Sequence, residues 1–227
     1  MSRNWLKIGE DGLTIPHFIS TDLHTVYYLR RYSIKDGLKP WDCGEDERII
    51  YNFKKPKTVT GIQKRFKNKA VEIFTKDLGA FFKRTNSELS ICATWMPGSK
   101  SPDSELYDKS LETVVMKACH KIDHMSGKFI FYQIENRTPM HEYPQKGWTR
   151  NPDVLKKGWE LVDNVNIDKF DILFIVDDML TAGTSTSASN TFIRENLNDE
   201  ILIINICWAR RIWGEVETIK SSLTPLF

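Results

Sequence analysis

Two adjacent carboxylates, Asp177 and Asp178, follow directly after an apolar run near the end of the chain. The run, Ile172 to Val176, has the length of a strand and is rich in β-branched residues. Such a run is typical of a strand buried on both faces of a parallel sheet. Open α/β sheets bind ligands outside the carboxyl ends of their strands, so the two acids are expected at a ligand-binding edge.

A small, hydroxyl-rich turn comes next and consists of Thr181, Ala182, Gly183, Thr184 and Ser185. The sequence predicts a helix from Thr186 to Leu197 after it. Backbone N–H groups at a helix N-terminus can hold a phosphate, and the hydroxyl groups of threonine and serine add donors. Gly183 lacks the Cβ that would keep a phosphate at a distance. Two acids that accept from sugar hydroxyls, beside one anion hole, predict a site for a sugar phosphate.

Other sites also place two acids at the end of a strand. A Walker B segment requires an upstream phosphate loop with the pattern GxxxxGK[ST], and Gly79, Gly98 and Gly127 all lack it. A receiver domain carries its acidic pair early, with several βα units after it, whereas only one further strand is expected here. A purely structural turn gives no reason for two adjacent acids.

The stretch ILFIVDDMLTAGTS resembles the signature of type I phosphoribosyltransferases, which bind phosphoribosyl pyrophosphate (PRPP). The family pattern is a short apolar run, two acidic residues and a Thr/Gly-rich phosphate loop. The resemblance covers residues 87–210 and implies an α/β core, a parallel sheet flanked by helices. It also implies a reaction with Mg²⁺ in which PRPP gives its phosphoribosyl group to a nitrogen nucleophile and releases pyrophosphate.

The resemblance also implies roles for individual residues. Asp177 and Asp178 would accept from the ribose 2′- and 3′-hydroxyls and contact Mg²⁺ through water, while residues 181–185 would hold the 5′-phosphate. The loop after the first core strand would bind pyrophosphate; it contains Pro97, Gly98, Ser99 and Lys100. Lys100, with Arg137 or another loop cation, would stabilise the departing pyrophosphate. An ordinary turn between strand and helix is the alternative for this loop.

A long polar loop, Glu135 to Asn151, lies where the family carries a mobile loop that closes over the active site. Its basic residues are Arg137, His141, Lys146 and Arg150. The Arg-Thr-Pro sequence at 137–139, together with Tyr107-Asp108, is similar to the ComF-type branch of the family. The alternative is a disordered surface loop.

Residues 1–86 match no pattern that we can name, and we expect them to form a hood or partner-binding region beside the core at 87–227. Within them, Lys54 to Lys69 contains seven basic residues and no acid. We favour a solvated helix face, with a phosphate-steering patch or a nucleic-acid contact as alternatives. The chain is therefore also compatible with a non-catalytic regulatory or effector protein that binds a nucleotide and a protein or nucleic-acid partner.

Apolar spacing predicts the remaining elements. The predicted strands are 48–53, 89–96, 128–134 and 200–208, and the predicted helices are 62–84, 104–122, 152–165 and 213–222. From Leu89 onward strands alternate with helices, which predicts parallel pairing with helical crossovers.

The composition limits the class of protein. A chain of 227 residues with 41% apolar residues can bury a large core, and a net charge of +2 implies no general polyelectrolyte partner. None of the four cysteines forms a CxxC pair, and Cys92 and Cys207 lie in apolar runs, so we expect buried free thiols. With no run of 18 apolar residues, we expect a cytoplasmic protein without a membrane segment, and a homodimer is compatible with the sequence.

Overall fold

The computed structural model describes residues 5–8, 26–33, 39–139, 142, 151–197 and 200–211. These residues form an α/β fold with a mostly parallel, six-stranded sheet between helices, in agreement with the expected class. The strands are β1 (Leu6–Lys7), β2 (Val26–Tyr32), β3 (Ile91–Trp95), β4 (Met125–Gly127), β5 (Phe131–Gln133), β6 (Trp159–Leu161), β7 (Ile172–Leu180) and β8 (Leu202–Arg211). The helices are α1 (Glu45–Phe53), α2 (Gly61–Phe82), α3 (Ser110–Cys119), α4 (Pro152–Lys156) and α5 (Thr184–Asn196).

The strand order in the large sheet is β1-β2-β8-β7-β3-β4. Only β1 is antiparallel to its neighbour, and the other described pairings are parallel. The remaining strands, β5 and β6, form a separate antiparallel pair. The predicted parallel pairing from Leu89 onward is therefore confirmed for β3, β4, β7 and β8.

Aromatic side chains fill the core on both faces of the sheet. On the face covered by α1, α2 and α3, Phe74 stacks on Trp208 with ring centroids 4.4 Å apart, and Phe82 stacks on Phe174 at 5.6 Å. On the α5 face, Phe192 contacts the rings of β5 and β6. Burial of one such side chain stabilises a fold by about 1.5–3 kcal/mol, so these contacts hold the helices firmly against the sheet.

The N-terminal region contributes directly to this core. β2 pairs in parallel with β8, and α1 and α2 bury apolar residues against the same sheet. Arg30 of β2 reaches Asp46 of α1 and Asp77 of α2 with N–O distances of 2.6 and 2.7 Å. The division into regions 1–86 and 87–227 stays a prediction, but elements from both sides of that boundary share one sheet and one core.

The short strand predicted over 48–53 is wrong, because this segment belongs to α1. Its β-branched pair, Ile49 and Ile50, suggested a strand. In the fold, the three-residue spacing of Ile50 and Phe53 places both side chains against the core. Three acids in the first turn also favour a helix start, since they face the positive end of the helix dipole.

The prediction of one core strand over 128–134 is wrong. The sheet strand is β4, which ends at Gly127, and the chain then leaves the sheet for β5. A Cβ on Gly127 would lie 2.8 Å from the Met116 sulfur, so a larger residue here would require the Met116 side chain on α3 to move. Phe131 then packs against Trp159 at 5.3 Å, which stabilises the hairpin of β5 and β6.

Two helices are shorter than predicted. The helix expected over 104–122 begins at Ser110, because the Asp108 carboxylate accepts from the Ser110 backbone N–H at 2.9 Å and defines a turn there. The helix expected over 152–165 ends at Lys156, and residues 159–161 form β6 instead. Gly158 makes that turn close to β5, since a Cβ on it would lie 2.6 Å from the Gln133 side chain.

The other predicted elements match the fold within a few residues, and the helix predicted over 213–222 lies outside the described residues. Cys92 and Cys207 are buried free thiols, as predicted. In the described part of the chain, no helix is long and apolar enough to span a membrane.

Candidate functional site

The connections that leave β3 and β7, two neighbouring strands inside the sheet, run to opposite sides. From β3 the chain passes through α3 to β4 on one side, and from β7 it passes through α5 to β8 on the other. Because the two connections leave in opposite directions, a crevice forms outside the carboxyl ends of these strands, where α/β proteins bind ligands. The loop after β3 and the turn after β7 both begin at this end of the sheet.

The acidic pair lies within β7 rather than after it. The strand continues to Leu180, and Asp177 pairs with Cys207 of β8. Residues 172–176 are buried, as predicted, whereas both aspartates are partly exposed. The backbone N–H of Asp178 donates to the Asp177 carboxylate at 2.7 Å, which fixes one acid relative to the other.

A cation from the N-terminal region reaches this pair. Lys54 caps the C-terminus of α1, and its Nζ lies 2.9 and 2.8 Å from the two carboxylate oxygens of Asp178. Burial acts to lower the pKa of Lys54, but the charge and hydrogen bond of Asp178 outweigh it, so the pKa is raised and the ammonium persists. The Lys54 side chain is still 42% exposed, so water screens the pair and limits its effect on stability.

Asp177 has an unusual protonation equilibrium. Burial and the neighbouring charge of Asp178 raise its pKa to about 7, although Lys54 and two backbone N–H groups act in the opposite direction. At neutral pH the Asp177 carboxyl therefore exists in both protonation states. A group that can accept or donate near pH 7 is suited to a ligand hydroxyl or to proton transfer.

The turn after β7 has the conformation that an anion site requires. Gly183 is left-handed, with φ 76° and ψ 3°, and α5 begins at Thr184. The first bond of the helix runs from the Ser187 N–H to the Gly183 carbonyl at 2.9 Å. The N–H groups of residues 184–186 thus precede the helical hydrogen-bond ladder and face outward from the positive end of the helix dipole.

Asp177 and this turn line one small pocket. Its lining residues are Asp177, Met179, Leu180, Thr181, Gly183, Thr184, Ser185 and Thr186. Ala182 lies in the same turn and is partly exposed. The juxtaposition of an acidic group and a helix N-terminus, which the sequence predicts, is present in the fold.

The loop after β3 meets the start of the predicted mobile loop. The Arg137 N–H donates to the Ser99 carbonyl at 2.8 Å, and the Ser101 N–H donates to the Asn136 side chain at 3.1 Å. Pro97 is buried, Ser99 and Lys100 are partly exposed, and a Cβ on Gly98 would meet no atom within 4 Å. The two predicted pyrophosphate-binding segments are therefore adjacent.

The Arg137 guanidinium is held within its own loop. Its Nε donates to Gln133 at 2.9 Å, and one terminal nitrogen donates to the Thr138 carbonyl at 3.2 Å. For this arginine to reach a pyrophosphate, these bonds have to exchange. Of the other cations predicted in that loop, His141, Lys146 and Arg150 lie outside the described residues.

The basic segment 54–69 divides into two groups. Lys67 is buried and donates to the carbonyls of Phe53 and Lys55 and to Asp108, at 2.8, 2.5 and 2.6 Å. Lys64, Arg65 and Lys69 are exposed. The prediction of a solvated face is correct for this exposed group and wrong for Lys67, which joins α2 to the residues that precede α3.

Lys54 is the site residue that sequence reasoning missed. The sequence separation between Lys54 and Asp178 is 124 residues, and nothing local to either residue predicts their contact. The only available signal was the position of Lys54 at the start of the basic segment. Its contact becomes visible only once α1 is placed over the carboxyl edge of the sheet.

The donor set is compatible with a phosphate-bound magnesium ion. In the described part of the chain, no group of three His, Cys, Asp or Glu side chains could hold a metal. Mg²⁺ commonly takes one or two carboxylates together with substrate phosphates and water, and the acidic pair can supply those carboxylates.

Neither protein-family models nor curated proteins gave a match to this chain.

Proposed function

We propose that the protein binds PRPP or ribose 5-phosphate with Mg²⁺ at the crevice between β3 and β7. In this proposal its core is of the type I phosphoribosyltransferase kind, nearest the ComF-type branch, with residues 1–86 as hood. The observation that carries the proposal is the single pocket lined by Asp177 and by the left-handed Gly183 turn. The hydroxyls of a ribose phosphate fit the Asp177 carboxylate, and its phosphate fits the Gly183 turn.

In the proposed complex, the acids hold the ribose and the turn after β7 holds the phosphate. Asp177 and Asp178 accept from the ribose 2′- and 3′-hydroxyls, and the N–H and hydroxyl groups of residues 181–185 hold the 5′-phosphate. Lys54 pairs with Asp178 in the free protein, and ribose hydroxyls compete with its ammonium for the same oxygens. When bound, Mg²⁺ neutralises phosphate charge.

In the proposed reaction, the bond from ribose C1 to the pyrophosphate oxygen breaks and a bond from C1 to a nitrogen nucleophile forms. The protein supplies positions and charge rather than a covalent nucleophile. Lys100 and the N–H groups of residues 98–100 face the departing pyrophosphate, and Arg137 joins them after leaving Gln133. The protonatable Asp177 carboxyl is the candidate to receive the proton lost from the nucleophile.

A second candidate is a regulatory or effector protein that keeps the pocket without turnover. The observation in its favour is the contact of Lys54 with Asp178, which occupies one acid in the free protein. Such a protein would bind PRPP or a nucleotide and respond through a partner rather than through chemistry.

Pyrophosphate release from PRPP and Mg²⁺, measured with a panel of purine, pyrimidine and amine acceptors, separates the two candidates. The proposal predicts release with at least one acceptor and loss of it in Asp177→Asn/Asp178→Asn. The matched control, Asp123→Asn/Asp163→Asn, removes the same charge from two exposed sites and should retain release. Saturable PRPP binding without release supports the second candidate, and absence of binding contradicts both.

A further inference from the structure

Exposed aromatic rings lie beside lysines along the N-terminal helices. Trp41, Tyr51 and Phe66 are 54%, 38% and 49% exposed, which is unusual for such large rings. Trp41 contacts Tyr51 edge-on, with centroids 6.1 Å apart. The three rings therefore belong to one surface rather than to scattered positions.

Lysines connect these rings. The Lys39 ammonium lies 5.3 Å from the Trp41 ring, and the Lys55 ammonium lies 5.4 Å from the Tyr51 ring and 5.6 Å from the Phe66 ring. Along the surface the order is therefore Lys39, Trp41, Tyr51, Lys55 and Phe66, which we call the aromatic–lysine row. One turn from Phe66 on α2, the exposed Ile62 widens its apolar side.

Positive charge surrounds the row. Lys64 and Arg65 precede Phe66 on α2, both exposed, and Lys57 lies in the link between α1 and α2. Two of the three acids at the start of α1 are engaged elsewhere, since Asp46 pairs with Arg30 and Glu47 accepts from the Ser33 N–H. The surface thus combines a positive field with flat apolar faces.

We propose that the aromatic–lysine row binds single-stranded nucleic acid. Bases have flat faces that stack on exposed rings, and the phosphates between them require cations at intervals, which is the pattern of this row. An acidic protein segment would match the charge but not the three rings. A duplex hides its base faces inside the stack and would match only the charge.

The row lies beside the candidate pocket but does not depend on it. Lys55 belongs to the row, whereas its neighbour Lys54 points to Asp178. Lys67, which lies one residue after Phe66, is buried and belongs to neither surface. Binding at the row can therefore be tested without changing the residues proposed to bind ribose phosphate.

Fluorescence anisotropy with labelled dT20 and U20 tests the proposal over a range of salt concentrations. We expect Tyr51→Ala/Phe66→Ala to weaken binding at least tenfold, because each stacked base is worth about a factor of ten. Tyr51→Phe/Phe66→Tyr keeps both rings and should bind as the wild type does. Ultraviolet crosslinks to the peptides that carry Tyr51 and Phe66 provide a second readout, independent of the variants.

The charge component is tested separately. Changing Lys55, Lys64 and Arg65 to Gln should flatten the plot of log affinity against log salt by up to about 2, since each neutralised phosphate of a single strand contributes about 0.7. The control changes Lys83, Lys121 and Lys169 to Gln; all three are exposed and precede β3, β4 and β7, at the opposite edge of the sheet. It should leave the slope unchanged.

Three results would overturn the proposal. Wild-type affinity in the Tyr51→Ala/Phe66→Ala variant would show that no base stacks there. A 20-base-pair duplex or polyglutamate that binds as tightly as dT20 would show that charge alone is recognised. No saturable binding of either oligonucleotide at 50 mM salt would show that the row has another role.

Discussion

Two groups of charges connect the N-terminal elements to the sheet, and each places one cation beside two acids. In one, the Arg30 guanidinium lies between the carboxylates of Asp46 and Asp77, and the Trp208 indole also donates to Asp77 at 2.8 Å. Arg30 is only 5% exposed and packs over the Trp208 ring at 5.3 Å. In the other, Lys54 contacts Asp178 beside a second acid.

The difference lies in the exposure of the cation. The Arg30 guanidinium is enclosed between β2, β8, α1 and α2, and its bonds join these elements, whereas the Lys54 side chain is 42% exposed. The Asp46, Asp77 and Asp178 side chains are similarly exposed, at 22%, 21% and 23%. The acidic pair is partly exposed at a crevice, holds two adjacent acids, and shifts the pKa of Asp177 to about 7. A closed, satisfied ion group supports a scaffold, whereas adjacent like charges at an open edge are suited to a binding site.

The largest effect on stability should come from breaking the closed group. Arg30→Met leaves two carboxylates without their shared partner, and loss of one partner of a buried ion pair typically costs about 3–5 kcal/mol. Urea denaturation should therefore show a much lower free energy of unfolding. Arg84→Met, at an exposed position after α2, is the control and should change stability by less than about 0.5 kcal/mol. Equal effects from the two variants would remove the structural role assigned to Arg30.

The acidic pair should behave in the opposite way. Asp177→Asn/Asp178→Asn removes two adjacent like charges, so the variant should fold and should lose no more than about 1 kcal/mol of stability at pH 7. Its affinity for ribose 5-phosphate should fall at least 100-fold, measured by isothermal titration calorimetry. Unchanged affinity in the folded double variant would contradict the role of these acids.

A comparison of substitutions at two left-handed glycines can distinguish the effect of backbone strain from that of ligand contact. Gly183 and Gly61 have φ values of 76° and 54°, and each precedes or begins a helix. A valine at either position should cost about 1–2 kcal/mol or more, because its branched Cβ disfavours a left-handed backbone. Only Gly183→Val should also abolish binding of phosphate, monitored by titration calorimetry. Loss of phosphate binding in Gly61→Val as well would indicate that strain alone explains the result.

The ionisation of Asp177 should make the free energy of unfolding depend on pH. In the unfolded chain Asp177 ionises near pH 4, whereas in the folded protein it keeps its proton up to about pH 7. Between these values the folded state binds more protons, so the contribution of Asp177 to stability falls as pH rises. The free energy of unfolding of Asp177→Asn minus that of the wild type should therefore increase from pH 4 to 7, by at most about 1.4 kcal/mol per pH unit.

Above pH 7 that difference should level off. Asp163→Asn, at an exposed position, should show no such trend and serves as the control. A difference that stays flat between pH 4 and 7 would mean that the pKa of Asp177 is not raised in the folded protein.

Local signals explain which parts of this account could be predicted from sequence. The apolar run of β7, the following acids and the glycine turn are contiguous, so their pattern determines both the elements and their order. The predicted α2 was also correct within two residues at each end, because its apolar residues recur at helical spacing. The pocket that contains Asp177 and Gly183 follows from this short stretch alone.

The parts that could not be predicted depend on distant residues. Ile49 and Ile50 are compatible with a strand, and the packing of Phe53 against Phe74 and Trp208, which no local pattern reveals, favours a helix here. The choice of β4 over β5 for the sheet depends on the hairpin with β6. The contact of Lys54 with Asp178 and the aromatic–lysine row both arise from how α1 and α2 meet, and no local spacing encodes that.

A crystal structure of the protein with ribose 5-phosphate and Mg²⁺ tests most directly whether the pocket binds a sugar phosphate. We expect the phosphate to lie against the backbone N–H groups of residues 181–185 and the 2′- and 3′-hydroxyls to lie within hydrogen-bond distance of Asp177 and Asp178. A sugar phosphate bound elsewhere, with the turn after β7 empty, would contradict it.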